Sequence, residues 1–212
     1  MINRTKLLEA AAHVYEEFGF RGATTRRIAQ AAGVNEVTLF RTFGSKAALI
    51  EEALKARTSA PGYATLPNGA SDPEAELMAW CEQELAYLHS ARSMIRKALG
   101  ELEERPELVD CAREGASRAG RELRAYLGRL RRAGLIDPDV DVIAAASMLH
   151  GALFADAMGR DMAPEVYPPL ARAPRVYARL FARMVGIRRA AARSRGAPRR
   201  GASPSRTARR TA

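Results

Sequence analysis

Apolar positions along this chain recur at intervals of three and four residues, the spacing that lines one face of a helix. Between residues 4 and 18, Leu7, Leu8, Ala11, Val14, Tyr15 and Phe18 keep that spacing, and Gly19 is expected to stop the helix. Short helices are predicted over 24–32, 35–42 and 45–57. Thr24, Asn35 and Ser45 open them, each with a side-chain oxygen suited to capping backbone N–H groups. Residues 58–72 are rich in Pro, Gly and Ser and read as a loop. Five further helices are predicted near 73–89, 91–103, 106–133, 139–159 and 174–187. Pro106, Gly134 with Pro138, and the four prolines of 163–174 separate them. No stretch alternates with the period of a strand. The pattern predicts an all-α chain of about nine helices in two folded parts, 1–57 and 58–187. Residues 188–212 lack any apolar period and are expected to be a disordered basic tail.

Composition narrows the class. Of 212 residues, 47% are hydrophobic and 27% charged, as in ordinary folded domains. Uncharged apolar runs such as 142–149 fall short of the roughly 20 residues of a membrane span. The N-terminus has no apolar core of export-signal length, so a cytoplasmic protein with no membrane partner is expected. Cys81 and Cys111 lack metal-ligand spacing and read as free thiols of a reducing compartment. The net charge of +10 is uneven, because nine arginines and no acid lie within 188–212. Such a tail suits either nonspecific phosphate attraction or a solubilising extension. His13, His89 and His150 form no metal-ligand pattern, and the sequence has no nucleophile elbow, phosphate loop or dinucleotide-binding glycine motif. No enzyme activity, metal or cofactor is therefore expected, and His13 is expected to pack inside the first helix's core.

The most informative stretch is 24–43, TTRRIAQAAGVNEVTLFRTF. Ile28, Ala32, Val34, Leu39 and Phe43 are spaced to meet between two short helices, with small Ala29 at their crossing and Gly33 at the turn. This is the anatomy of a helix-turn-helix, whose second helix enters the DNA major groove. The same spacing also suits plain packing in an α-helical protein.

Residues 4–57 resemble the N-terminal domain of the tetracycline-repressor (TetR) family of bacterial transcription regulators. The segments AAHVYEEFGFRGATT, IAQAAGV and LFRTFGSKAALI carry the resemblance, in that order. The remainder is similar only in architecture: further helices, an RPEL opening to a long helix, and a Gly/Ala-rich penultimate helix. The resemblance implies a homodimer on a palindromic operator in double-stranded DNA, acting as a repressor that a small-molecule effector releases. Its place would be the bacterial cytoplasm, associated with the nucleoid. By position, the N–H groups at Thr24, Thr25, Arg26 and Arg27 would hold a phosphate. Asn35, Glu36, Val37, Thr38, Arg41 and Thr42 would face the groove, and Leu39 would face inward. Glu36 suits cytosine N4, Val37 a thymine methyl, and Arg41 a guanine or a phosphate. Lys46 matches the family's phosphate-binding lysine. Phe40 stands where the family commonly has a tyrosine whose hydroxyl bonds a phosphate, so that contact is expected to be missing.

The family dimerises through its last two long helices. Here Ala144, Gly151 and Ala155 are small enough for close approach, while Tyr177, Leu180, Phe181 and Met184 repeat at helical spacing. The same stripes also suit burial in the subunit's own core, and Met148, Leu149, Phe154 and Met158 are expected to be buried. Trp80, Tyr87, Met148 and Phe154 are candidate lining for an effector pocket, being large and adaptable. His150 is a candidate polar group there, or a satisfied interior residue. The competing function is a nonspecific nucleic-acid-binding or architectural protein driven by the arginine tail.

Overall fold

The computed structural model describes residues 4–58, 65–104 and 109–187. Among them run nine α-helices: α1 (Arg4–Gly22), α2 (Thr25–Ala32), α3 (Glu36–Phe43), α4 (Lys46–Thr58), α5 (Pro73–Ser90), α6 (Arg92–Glu101), α7 (Val109–Arg132), α8 (Val142–Gly159) and α9 (Ala173–Met184). No strand occurs among the described residues. The arginine tail, the RPEL segment with Pro106, and the side chain of Cys111 lie outside what is described.

The caps form where the sequence predicts them. The side chain of Thr24 accepts from the Arg27 N–H at 3.3 Å, Asn35 from Val37 at 3.0 Å, and Ser45 from Ala48 at 3.1 Å. Gly33 takes the left-handed conformation (φ 69°, ψ 35°), and the next N–H, of Val34, closes the end of α2 onto the Ala29 carbonyl at 3.0 Å. Gly19 kinks α1 rather than ending it. Its φ of 66° is costly for any other residue, and one more turn runs on to Gly22.

The buried apolar residues gather into two clusters. One joins α1–α4 and takes in Ala91 and Met94 from the α5–α6 corner. The other lies between α5, α7, α8 and α9, centred on Leu77, Trp80, Leu123, Tyr126 and Leu153. Cys81 sits in this second core, where burial foremost, then the Glu84 and Glu82 carboxylates, push its thiol up to about 12.

Four expectations need correction. His13 is exposed, because the buried stripe of α1 runs through Leu7, Ala11, Val14 and Tyr15. Phe18 is also largely exposed and lies under the Arg27 guanidinium at 4.4 Å. The kink at Gly19 gives its core position to Phe20. Met148 points outward at 60% exposure, since α8 buries Ala145, Leu149 and Leu153 instead. Finally, α8 is long and apolar enough to reach across a membrane by length and composition, with a mean hydropathy of 1.4 over 18 residues. It nevertheless carries a buried acid, Asp156, and packs against α5, α7 and α9.

Candidate nucleic-acid interface

The helix-turn-helix is built on its own small core. Ile28, Ala29 and Ala32 of α2 and Leu39 and Phe43 of α3 are buried together with Leu49 and Ile50 of α4. Leu39 and Phe43, four places apart, share the inward face of α3, while Val37 and Arg41, two places from Leu39, turn outward and Phe40 lies at the edge of that outer side. Val37 is 62% and Phe40 50% exposed, and Arg41 is exposed beside them. Arg26 is exposed at the start of α2, whose first turn holds no acid.

Polar side chains expected to meet DNA are partly engaged within the chain. The Thr25 hydroxyl donates to Glu36 Oε2 at 2.9 Å, tying the N-terminus of α2 to that of α3. Glu36 is half-buried by this contact, which draws it away from the outer face. Arg27 Nη1 donates to the Gly22 carbonyl at 2.8 Å while the guanidinium stacks on Phe18. Lys46 Nζ donates to the Phe20 carbonyl at 2.9 Å and lies over the Phe20 ring at 4.1 Å. It therefore props α4 against the end of α1. Thr42 Oγ1 donates back to the Thr38 carbonyl at 2.8 Å. Thr24 and Asn35 act as caps, so the exposed outer face is carried by Val37, Phe40, Arg41 and Arg26.

A joint between α1 and α6 had no counterpart in the sequence reading. Glu101, at the end of α6, accepts from the Tyr15 hydroxyl at 2.9 Å and from the Phe20 N–H at 2.8 Å. A side chain at position 19 would meet Glu101 Oε1 at 3.0 Å, so the glycine also admits the carboxylate. The backbone of Phe20 thus lies between Glu101 and Lys46, its N–H donating to one and its carbonyl accepting from the other. Arg21 and Glu104 add an exposed ion pair at 2.8 Å. These partners lie more than 80 residues apart, so no local motif announces them.

The second cluster carries a buried polar network. Asp156 is fully buried and accepts from Arg160 Nε at 2.7 Å and Nη2 at 2.5 Å, and from the Tyr177 hydroxyl at 2.8 Å. His89 Nε2 lies 3.8 Å from Asp156 Oδ1 and makes no hydrogen bond among the described residues. Burial is the largest influence on His89 and holds its pKa below the usual value, against the pull of Asp156. Farther back along α5 and α8, His150 Nε2 lies 3.4 Å from the buried Glu84 carboxylate. A lone acid inside the apolar run of α8 was the signal available in the sequence for this network.

The other candidate residues separate by face. Ala144, Gly151 and Ala155 lie on the exposed side of α8 with Met148, and Leu180 (59%) and Met184 lie exposed on α9. Phe181 is instead buried in its own subunit, and Tyr177 is half-buried with its hydroxyl on Asp156, because the inner face of α9 packs on α5 and α8. Trp80 is buried in the second core, its Nε1–H without a partner among the described residues, Phe154 is half-buried against that core, and Tyr87 touches both clusters. An open groove of about 450 Å³ lies where α5 begins and α9 ends, lined by residues such as Asp72, Glu74, Met78 and Arg179. None of Trp80, Tyr87, Met148 and Phe154 lines it.

Residues 7–53 match the family described as bacterial regulatory proteins, tetR family. The helix-turn-helix-type transcriptional regulator YvkB of Bacillus subtilis is 39% identical over 57 residues, which are 27% of this chain and 30% of that protein. The helix-turn-helix-type transcriptional repressor KstR2 of Rhodococcus jostii is 42% identical over 52 residues, 24% of this chain and 26% of that one. Each of these matches thus spans less than a third of the relative's length. The whole fold is shared more widely. A TetR-family transcriptional regulator from a Rhodococcus species superposes with a TM-score of 0.69 at 18% identity, over 86% of this chain and 97% of the other. The fatty acid degradation regulator FadR of Bacillus halodurans superposes with 0.65 at 20% identity, over 87% and 97%.

Proposed function

We propose that this chain, whose residues 7–53 match the tetR family of bacterial regulatory proteins, is a sequence-specific DNA-binding repressor that works as a homodimer and leaves a palindromic operator when a small molecule binds its second cluster. The observation that carries the reading is the outer face of α3, with Arg41 and two apolar side chains exposed on a capped, rigidly packed helix. Arg26 and the N–H groups at the start of α2 add the charge and donors that suit a backbone phosphate. The apolar outer faces of α8 and α9 support pairing of two chains, since Met148, Leu180 and Met184 stand in water in a single copy. Two copies on one duplex would present two α3 helices about one DNA turn, roughly 34 Å, apart. The Glu101 joint supports a route by which rearrangement around α6 would alter that spacing.

Selection of bound duplexes from a random pool tests the reading. The expected result is an enriched palindrome whose binding Arg41→Ala weakens. An unenriched pool overturns it. So does a chain ending at Ile187 that loses binding to all sequences alike, while Arg41→Ala changes no preference, because that outcome assigns binding to the arginine tail.

A further inference from the structure

We propose that Val37 and Phe40 read thymine, packing on C5 methyl groups in the major groove. This rests on the DNA-binding reading above and names what part of the operator must contain.

The two side chains stand one turn apart on α3, at 62% and 50% exposure, and form an apolar patch on the outer side of the helix. Neither carries a hydrogen-bond donor or acceptor, so neither can bond a phosphate or a polar base edge. Among the groups that a base pair presents in the major groove, the thymine methyl is the apolar one. The surroundings favour DNA as the occupant. Arg41 follows Phe40 directly, Arg26 lies exposed on the neighbouring helix, and the one acid of α3, Glu36, is drawn aside onto Thr25. An apolar patch with an arginine next in the chain and another exposed on the preceding helix complements a polyanion with methyl groups in its groove better than it complements an apolar protein surface. Glu36 has no place in this contact: its bond to Thr25 takes it from the cytosine N4 that its position suggested.

The test uses the full chain and unmodified synthetic DNA, in which thymine is the only source of a C5 methyl group. The duplex enriched from the random pool is made again with deoxyuridine in place of thymidine, which keeps the pairing and removes the methyls. The wild type is expected to bind the deoxyuridine duplex about fourfold more weakly for each contacted methyl. Over two symmetric half-sites that becomes about 15-fold for each methyl pair. The double variant Val37→Ala, Phe40→Ala is expected to bind the two duplexes alike. Equal wild-type affinity for the two duplexes overturns the proposal, and so does full methyl discrimination kept by the double variant. The wild-type comparison needs no variant and therefore does not depend on how the variants fold. An enriched palindrome bound alike with and without methyls removes this contact and leaves the regulator reading intact. A pool with no enriched sequence removes both.

Discussion

The two buried clusters differ in what holds them and in what they leave facing water. The α1–α4 cluster is apolar inside, with its polar ties at caps and between helix ends, and it turns a small mixed face of Val37, Phe40 and Arg41 outward. The second cluster holds ionisable groups deep inside, Asp156 with Arg160 and Tyr177, and Glu84 beside His150. Its exposed side is a broad apolar face along α8 and α9. The first region suits a fixed shape offered to a partner, because its inside is close-packed apolar side chains. The second suits a shape that can change, because a buried charge network is stable only while each partner is in place.

The largest effect that sharpens this contrast is expected from Asp156→Ala. It leaves the Arg160 guanidinium without its buried carboxylate and should lower the unfolding free energy by about 3–5 kcal/mol in urea titration. A loss below 1 kcal/mol would mean that the network does not hold the second cluster. Next is Arg41→Ala, exposed on the other region, which should weaken binding to the enriched duplex by about 1–3 kcal/mol per base contact while the urea midpoint stays in place. A shift in stability instead would move Arg41 from the interface into the fold. Glu101→Ala removes the acceptor of the Tyr15 hydroxyl and the Phe20 N–H, and should cost about 1–2 kcal/mol of stability. It should also change DNA affinity although Glu101 lies away from α3, and unchanged affinity would break the link between the regions.

The smallest effect expected is a pH slope from His89. Burial, the largest cause, holds its pKa below the usual 6.5, so the folded chain keeps it neutral where the unfolded chain takes up a proton. Stability is therefore retained above 6.5 and falls as the pH drops from there toward the folded value. Urea midpoints across that interval should fall less steeply for His89→Gln than for the wild type. Identical slopes would contradict the assignment.

The caps Thr24, Asn35 and Ser45, the turn at Gly33 and the inward set Ile28, Leu39 and Phe43 were legible in the sequence because each depends on residues within a few positions. Thr25 with Glu36, Lys46 with Phe20, and Glu101 with Tyr15 were not, because their spacing in the chain carries no period. Helix α8 failed differently. Apolar residues surround it, so periodicity alone cannot say which face is inside, and Met148 turned out to face water. On α9 the stripe suited both an interface and the subunit's own core, and spacing alone did not say that Phe181 turns inward while Leu180 and Met184 turn outward.

The central claim is that the outer face of α3 recognises a particular DNA sequence. Its most direct measurement is the ratio of affinities for the enriched duplex and for a scrambled duplex of the same composition, at physiological salt, for the wild type and for Arg41→Ala. The expected ratio is at least about 10³ for the wild type and clearly smaller for the variant. A ratio near one for the wild type would contradict the claim.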